Sequence, residues 1–316
     1  MNVSGVGILF PGQGSQSVGM GADLFEARPD LLGERADQAL GFSLRTLCLD
    51  GPEEELTRTE HAQPALLALS YALWDMVDSE GVLSPAGAAG HSLGEYTALA
   101  AAGVFDFDTA LALIAHRGRA MGAAASIEES GMAALLGADR EKAEEVSRRR
   151  RDQGGRLDVA NVNAPGQIVV AGGKDDIDWL AESAGELGIR RVIRLPVAGA
   201  FHSGFMAPAQ VEVAEALDSS DMQSQRFPVW SNTTARPHRQ GQIGELLVRQ
   251  LVEPVLFAES LQDMAGAGMD TFVHIGPGDV TAGLARRTVP GAMVHTISRV
   301  EDIPLVLDAL GTMGAD

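Results

Sequence analysis

Apolar and polar positions alternate in blocks that mark the chain's elements one after another. In GVGILFPGQGSQSVGMG, residues 5–21, the apolar run Val6 to Phe10 leads straight into Pro11-Gly12-Gln13-Gly14, which predicts a short buried strand ending in a glycine-rich turn. From Gln63 to Val77 the pattern PALLALSYALWDMV has helical length and no breaker after Pro64, whose fixed φ suits a first helical turn. Residues 85–104 bring small residues, the pentad Gly90-His91-Ser92-Leu93-Gly94 and the helix-forming run EYTALAAAGV, so the pentad is expected to turn a strand into a helix. The strand before it is weak in its own right, because PAGAAG is all small residues.

Between residues 128 and 197 the texture changes. Met132 to Leu136 reads as a strand, Asp139 to Arg151 as a charged helix, and Leu157 to Val162 and Gln167 to Ala171 as strands joined around Asn163-Ala164-Pro165-Gly166. Asp176 to Leu187 follows as a helix and Arg191 to Val197 as a strand. This β-α-β-β-α-β order predicts a ferredoxin-like subdomain at 128–197, inserted into a large α/β domain of residues 1–127 and 198–316. The remainder predicts helices near Ala207 to Leu217, Ile243 to Val252 and Ala258 to Ala267, a short strand at Pro228 to Ser231, and a buried strand at Thr271 to Ile275 ending in Gly276-Pro277-Gly278.

Composition narrows this picture. Hydrophobic residues make up 45% of the chain but aromatics only 5%, so the core is built from Ala, Val, Leu and Gly, which favours helices lying closely on a parallel sheet over an all-β sandwich. The formal net charge of -19 argues against nucleic acid as a partner, since a polyanion meets a field of its own sign. The single cysteine, Cys48, excludes a disulfide framework and a cysteine-based zinc site. No stretch approaches the roughly 18 apolar residues of a membrane span, and the first residues lack a basic region before their apolar run, so a cytoplasmic protein with no membrane partner is expected. Arginine runs at Arg148 to Arg151 and at Arg190, Arg191 and Arg194 read most simply as a solvated helix face and a strand end.

The pentad changes the picture most. Gly-X-Ser-X-Gly permits a tight strand-to-helix turn that projects the serine side chain and offers helix N–H groups to an oxyanion. A serine hydroxyl needs a base to be nucleophilic at neutral pH. His202, in the glycine-flanked loop GAFHSGF, is the candidate; its plain alternative is a surface histidine. His91 adjoins the serine but would point away from it, and His61, His116, His238, His274 and His295 have no comparable loop. No histidine-carboxylate spacing suggests a metal site, and the glycine loop at 12–14 lacks the spacing of nucleotide-binding motifs.

Six blocks in one order, FPGQGSQ at 10–16, TEHAQPALLA at 59–68, GHSLGEYTALAAAG at 90–103, NVNAPGQIVVAG at 161–172, GAFHS at 199–203 and GPG at 276–278, together resemble the malonyl-CoA:acyl carrier protein transacylase family over nearly the whole chain. With the element order, the resemblance implies an α/β fold with an α/β-hydrolase-like large domain, its parallel sheet, and the inserted ferredoxin-like small subdomain. It implies Ser92 as nucleophile, His202 as base and the backbone N–H groups of Gln13 and Leu93 as oxyanion hole. Gln250, in VRQLVEPV, matches the residue whose backbone carbonyl holds the histidine in place of a carboxylate. Arg117, in HRGRAM, matches the arginine that pairs with the free carboxylate of a malonyl group; without the resemblance it would read as a helix-surface arginine. Phe201 matches a bulky neighbour that leaves little space for a branched acyl unit, and Gln63 and Asn161 stand in matching blocks as further substrate-binding residues.

The implied activity is ping-pong transfer of an acyl group, by default malonyl from malonyl-CoA, to the phosphopantetheine thiol of an acyl carrier protein in fatty-acid or polyketide biosynthesis. Coenzyme A and phosphopantetheine thioesters enter as substrates, and no bound cofactor or metal is implied. Carrier proteins are generally acidic, so a local positive rim is expected on this acidic chain. Arg149 and Arg299, with Met206, are the candidate docking residues, and Arg286 and Arg287 are further possibilities. Two positions depart from the family pattern: Leu256-Phe257 stands where a polar residue and Trp are common, and Asp279 where Lys is common. These departures suggest a less polar pocket or rim and keep open a polyketide-pathway enzyme moving a larger acyl or aminoacyl unit between two carrier proteins. A serine hydrolase acting on thioesters is the alternative of another class.

Overall fold

The computed structural model describes residues 5–313. Four parallel strands form one sheet in the order β2-β1-β7-β8: β1 is Val6–Phe10, β2 Gly87–Gly90, β7 Thr271–Ile275 and β8 Met293–Ile297. Every residue of β1 is buried, because the strand is central and covered on both faces, which is why its sequence is a continuous apolar run rather than an alternation. Val6, Ile8 and Phe10 face one core; Leu9, Ala89 and Phe272 face another. The chain between β1 and β2 forms five short helices, α1 (Ala22–Ala27), α2 (Pro29–Leu32), α3 (Glu34–Leu40), α4 (Leu44–Asp50) and α5 (Glu53–Thr57), and the long helix α6 (Thr59–Ser79). Helices α7 (Leu93–Ala101) and α8 (Phe107–Ala125) follow β2 and join α6 in the larger core.

The second sheet is antiparallel, in the order β4-β5-β3-β6, from β3 (Ser130–Leu136), β4 (Leu157–Ala164), β5 (Gln167–Gly173) and β6 (Arg191–Arg194). Its connecting helices are α9 (Arg140–Asp152) and α10 (Lys174–Ser183). Ala133 and Leu135 share a core with residues of these helices, whereas Met132, Val169 and Ala171 turn towards the larger core, so the period-2 alternation of the strands decides which layer each residue joins. The arginine run ends α9, where cations complement the helix dipole, and the Asp139 side chain caps its start by accepting from the Lys142 N–H at 2.8 Å. Arg150 pairs with Asp176 at 2.6 Å and Arg151 with Asp158 at 2.9 Å.

After β6 come α11 (Ala207–Asp218), α12 (Ile243–Arg249), α13 (Phe257–Gly266), α14 (Val280–Thr288) and α15 (Asp302–Met313). The strand expected at Pro228 to Ser231 is reduced to isolated bridges at Val229 and Trp230, the first beside Ala88 of β2. Two backbone hydrogen bonds, Val162 N–H to Val255 O at 2.9 Å and Val255 N–H to Ala160 O at 2.8 Å, join β4 to the segment before α13. That junction explains Leu256 and Phe257. Leu256 is half-buried on the core of the small sheet, and Phe257 is wholly buried beside Leu9, Ala89 and Met264, with its ring 5.4 Å from that of His91. Both side chains are packing residues and do not make an apolar rim; Asp279 alone of the departures lies exposed.

Among the described residues no helix is long and apolar enough to cross a membrane. Phe257→Ala is expected to lower the unfolding free energy by about 3–5 kcal/mol in urea denaturation, and Asp279→Lys to change it by less than about 0.5 kcal/mol. Equal losses from the two substitutions would show that Phe257 does not hold the layers together.

Candidate active site

The turn after β2 is forced by its glycines. A Cβ on Gly90 would lie 1.9 Å from the carbonyl carbon and oxygen of Gly94, and one on Gly94 would lie 2.6 Å from the carbonyl oxygens of Phe10 and Pro11. The strand, the first turn of α7 and the loop after β1 therefore meet backbone to backbone. Ser92 is left between them at φ 52°, ψ -104°. Three non-glycine residues have positive φ among those described, and two of them are Ser92 and His202, at 57°. Such conformations typically cost about 1–3 kcal/mol each, and here the surroundings hold both in place.

His202 follows the second sheet in the loop before a short 3₁₀ turn, Gly204–Met206, and its Nε2 lies 2.8 Å from Ser92 Oγ. Its Nδ1 lies 2.7 Å from the backbone oxygen of Gln250. A carbonyl only accepts, so Nδ1 carries the hydrogen and Nε2 is free to accept the serine proton. Arg117 reaches the same hydroxyl from α8. There Gly118 lets α8 approach α6 so closely that a Cβ would lie 2.9 Å from Thr59 O. Arg117 is wholly buried: Nη2 donates to Ser92 Oγ at 3.0 Å and to Gln250 Oε1 at 2.8 Å, and Nη1 donates to Gln63 Oε1 at 2.6 Å. It has no carboxylate within ion-pair distance among the described residues, and its Nε has no partner. Burial lowers its pKa from the ordinary value.

Ser92, His202, Arg117, Gln250 and Gln63 thus form one hydrogen-bonded group. The backbone N–H groups of Gln13 and Leu93 take no acceptor among the described residues and lie in the two segments that meet at the elbow. Phe201 is buried beside His202 in sequence. Asn161 makes no hydrogen bond to this group: its Nδ2 lies 3.4 Å from His91 Nε2 and its Oδ1 is unpartnered, and His91 donates through Nε2 to Asn163 Oδ1 at 2.7 Å. Met206 is fully buried, which corrects its assignment to a docking surface: the 3₁₀ turn carries its side chain into the larger core. Arg149 and Arg299 are exposed; Arg299 lies 3.4 Å from Glu301, and Arg149 takes no ion-pair partner among the described residues. Arg286 donates to the backbone of Val294 and Arg287 to Gln167 Oε1.

Three residues of the site had no sequence assignment. Asn232 accepts the Ser92 N–H at 2.8 Å through Oδ1 and donates to Gly90 O at 2.8 Å through Nδ2. Glu95, in α7, accepts from Gln250 Nε2 at 2.6 Å, the Asn232 N–H at 3.1 Å and His238 Nε2 at 2.7 Å. An acidic residue in a helix whose nine positions are all buried is itself a signal, visible in GEYTALAAAG. Asn232 and His238, in the polar loop SNTTARPH, carry none.

Burial holds the His202 imidazole near pKa about 3, helped by the charge of Arg117 and opposed by the Gln250 carbonyl. Burial likewise brings His274 to about 4 and lowers His91. On unfolding these rings return towards 6.5 and take up protons that the folded protein excludes, so stability is lost as pH falls below about 6.5, and not above it. The urea midpoint is expected to drop between pH 7.5 and 5, and His202→Gln should remove about 2 kcal/mol of that loss. An unchanged pH profile in the variant would take His202 out of this account.

A family model described as an acyl transferase domain matches residues 8–305. The chain is 40% identical over 311 residues to the malonyl CoA-acyl carrier protein transacylase of Bacillus subtilis (strain 168), covering 98% of both proteins. Among solved structures, the acyl-carrier-protein-S-malonyltransferase from Bartonella henselae has a TM-score of 0.92 at 36% identity, over 97% of this chain and 99% of that one. A malonyl-transacylase solved in complex with its type II PKS acyl-carrier protein gives a TM-score of 0.91 at 34% identity, over 97% of this chain and 100% of that one. A glycine-forced serine elbow, in a chain matched almost end to end, places this protein in the malonyl-CoA:acyl carrier protein transacylase family of acyl transferases.

Proposed function

We propose that this protein moves a malonyl group from malonyl-CoA to the phosphopantetheine thiol of an acyl carrier protein, through an ester on Ser92. The observation that carries the choice of acyl group is Arg117, a wholly buried guanidinium 3.0 Å from the serine hydroxyl whose partners are all neutral. A buried cation with no carboxylate in direct contact is a binding site for an anion, and the free carboxylate of malonate supplies one at the right end of the acyl group.

In the first half-reaction Ser92 Oγ attacks the thioester carbonyl as its proton passes to His202 Nε2. The oxyanion accepts from the Gln13 and Leu93 N–H groups, each worth about 3–4 kcal/mol at such sites. Collapse expels the CoA sulfur, which takes the proton from His202. In the second half-reaction the carrier thiol gives its proton to His202 and attacks the ester, and Ser92 Oγ leaves and recovers that proton. The carboxylate does a second task here. Arg117 lowers the basicity of His202 in the empty site, so neutralising that charge strengthens the base when the malonyl group is in place.

The segment order and the strand-to-helix elbow support an α/β-hydrolase-like large domain of residues 1–127 and 198–316, with 128–197 as the inserted ferredoxin-like subdomain. The buried, unpaired Cys48 is in keeping with a cytoplasmic enzyme, where CoA thioesters and carrier protein meet. Docking of an acidic carrier is assigned to Arg149 and Arg299.

Brief incubation with malonyl-CoA followed by intact-protein mass spectrometry should show a malonyl increment that Ser92→Ala abolishes. Arg117→Ala should slow it about 100-fold, the loss of two charge-assisted hydrogen bonds. Absence of the increment in folded protein would move the donor to a carrier-bound acyl group; an increment lost quickly to water without carrier protein would favour a hydrolase. Arg149→Glu and Arg299→Glu should each raise KM for the carrier severalfold at low salt and leave acylation by malonyl-CoA unchanged. An unaltered KM would remove that residue from the interface.

A further inference from the structure

Glu95 is the one acidic residue of α7, its side chain is wholly inaccessible, and the acylation chemistry does not use it. Every hydrogen bond that the structure gives the Glu95 carboxylate is one it accepts. Oε1 takes the His238 Nε2 hydrogen at 2.7 Å; Oε2 takes the Gln250 Nε2 hydrogen at 2.6 Å and the Asn232 N–H at 3.1 Å. His238 is equally inaccessible and its Nδ1 has no partner, so its ring is held through Nε2 by Glu95. A carboxylate and an imidazole are expensive to bury, and they persist in native proteins where their hydrogen bonds fix something.

What they fix is Gln250. An amide has a donor end and an acceptor end that look alike in shape but not in chemistry. With Nε2 on Glu95, and 3.0 Å from Ser92 O and 3.2 Å from Asn232 Oδ1, the other end, Oε1, must face the Arg117 Nη2 hydrogen at 2.8 Å. Flipped, the amide oxygen would face three acceptors, and its NH₂ would face a guanidinium that can only donate. The same residue offers its backbone oxygen to His202 Nδ1. Asn232, held through its N–H by the same carboxylate oxygen, accepts from Ser92 N–H and donates to Gly90 O, clasping the strained elbow.

We propose that Glu95, braced by His238, is a positioning residue that sets the orientation of the Gln250 amide and through it the poses of Arg117, His202 and Ser92. This rests on the malonyl-transfer reading above. It makes acyl selectivity depend on a carboxylate that touches neither the substrate nor the reacting atoms. In Glu95→Gln a neutral amide replaces the charged acceptor within the same shape, so Gln250 loses its shortest hydrogen bond to an anion and is oriented less firmly, by Ser92 O, Asn232 Oδ1 and Arg117 alone.

The test compares wild type with Ser92→Ala, Glu95→Gln, His238→Ala and His238→Gln. Intact-mass titration counts the sites that can be acylated, and single-turnover acylation by malonyl-CoA and by acetyl-CoA gives the rate per site. For Glu95→Gln the malonyl rate per site is expected to fall about 100-fold, the usual scale for an ångström of misplacement, and the acetyl rate about tenfold or less, so the preference for malonyl shrinks. His238→Ala should move both in the same direction. His238→Gln, which returns a donor to Oε1, should recover to within about threefold of wild type. A purely structural role would instead lower the number of titratable sites and leave the rate per site and the preference intact, and that result overturns the proposal. If Glu95→Gln yields no folded protein, the His238 pair decides: recovery in His238→Gln supports it, and identical defects in both overturn it. No increment in wild type would overturn the malonyl reading and this inference with it, whereas acylated wild type with an unaffected Glu95→Gln overturns this inference alone.

Discussion

The contact on which the site depends is between backbones, where Gly90 of β2 and Gly94 of α7 approach so closely that a Cβ on the first would sit 1.9 Å from the carbonyl of the second. No side chain fits there, so the chain must turn within two residues, and Ser92 must take a conformation that L-residues rarely adopt. The turn has to be held from outside because it is not stable in itself. Asn232 holds both its ends, and Gln250 donates to Ser92 O at 3.0 Å. These two clamps come from far along the chain, after the second sheet, so the nucleophile is assembled only when the whole fold closes.

A second constraint is electrostatic. Arg117 lies at the bottom of the site with neutral partners, and Glu95 is the nearest carboxylate of the buried network, reached only through Gln250. A direct Glu95–Arg117 ion pair would satisfy the guanidinium and leave nothing for a substrate carboxylate to do. Placing an amide between the two charges keeps both hydrogen-bonded while leaving the cation without a directly paired anion. The amide therefore separates stability from binding: it spares the protein an unsatisfied buried arginine without filling the position of the ligand.

Much of this was legible in the sequence, and the reasons are specific. β1 reads correctly because a doubly covered strand is apolar throughout, β7 because its buried Phe272, Val273 and Ile275 run into Gly276-Pro277-Gly278, and the elements from β3 to β6 read in order because each strand is bounded by turn residues. The serine elbow and His202 carried their own chemistry. β8 escaped notice because an edge strand of mixed exposure, MVHTI, has no clean period, and helices α1 to α5 are too short to build one. Met206 misled because a motif gives position in the chain and not accessibility. Leu256 and Phe257 misled for the opposite reason: their unusual character belongs to a junction between β4 and the segment before α13 that no local pattern reveals.

Glu95 shows where sequence reading could have gone further. A buried carboxylate in an Ala-rich helix is an anomaly that demands donors, and the chain had to supply them from somewhere. What the sequence withholds is which ones, because Asn232, His238 and Gln250 come together only through the Trp230–Pro237 bridge and the packing of α12. The motif residues mark where bonds are made and broken, while the residues that orient them lie in segments without a motif. A site of this kind is therefore only half visible from its signature, and the hidden half is found by asking of each buried charge what it is hydrogen-bonded to and what would turn if it were removed.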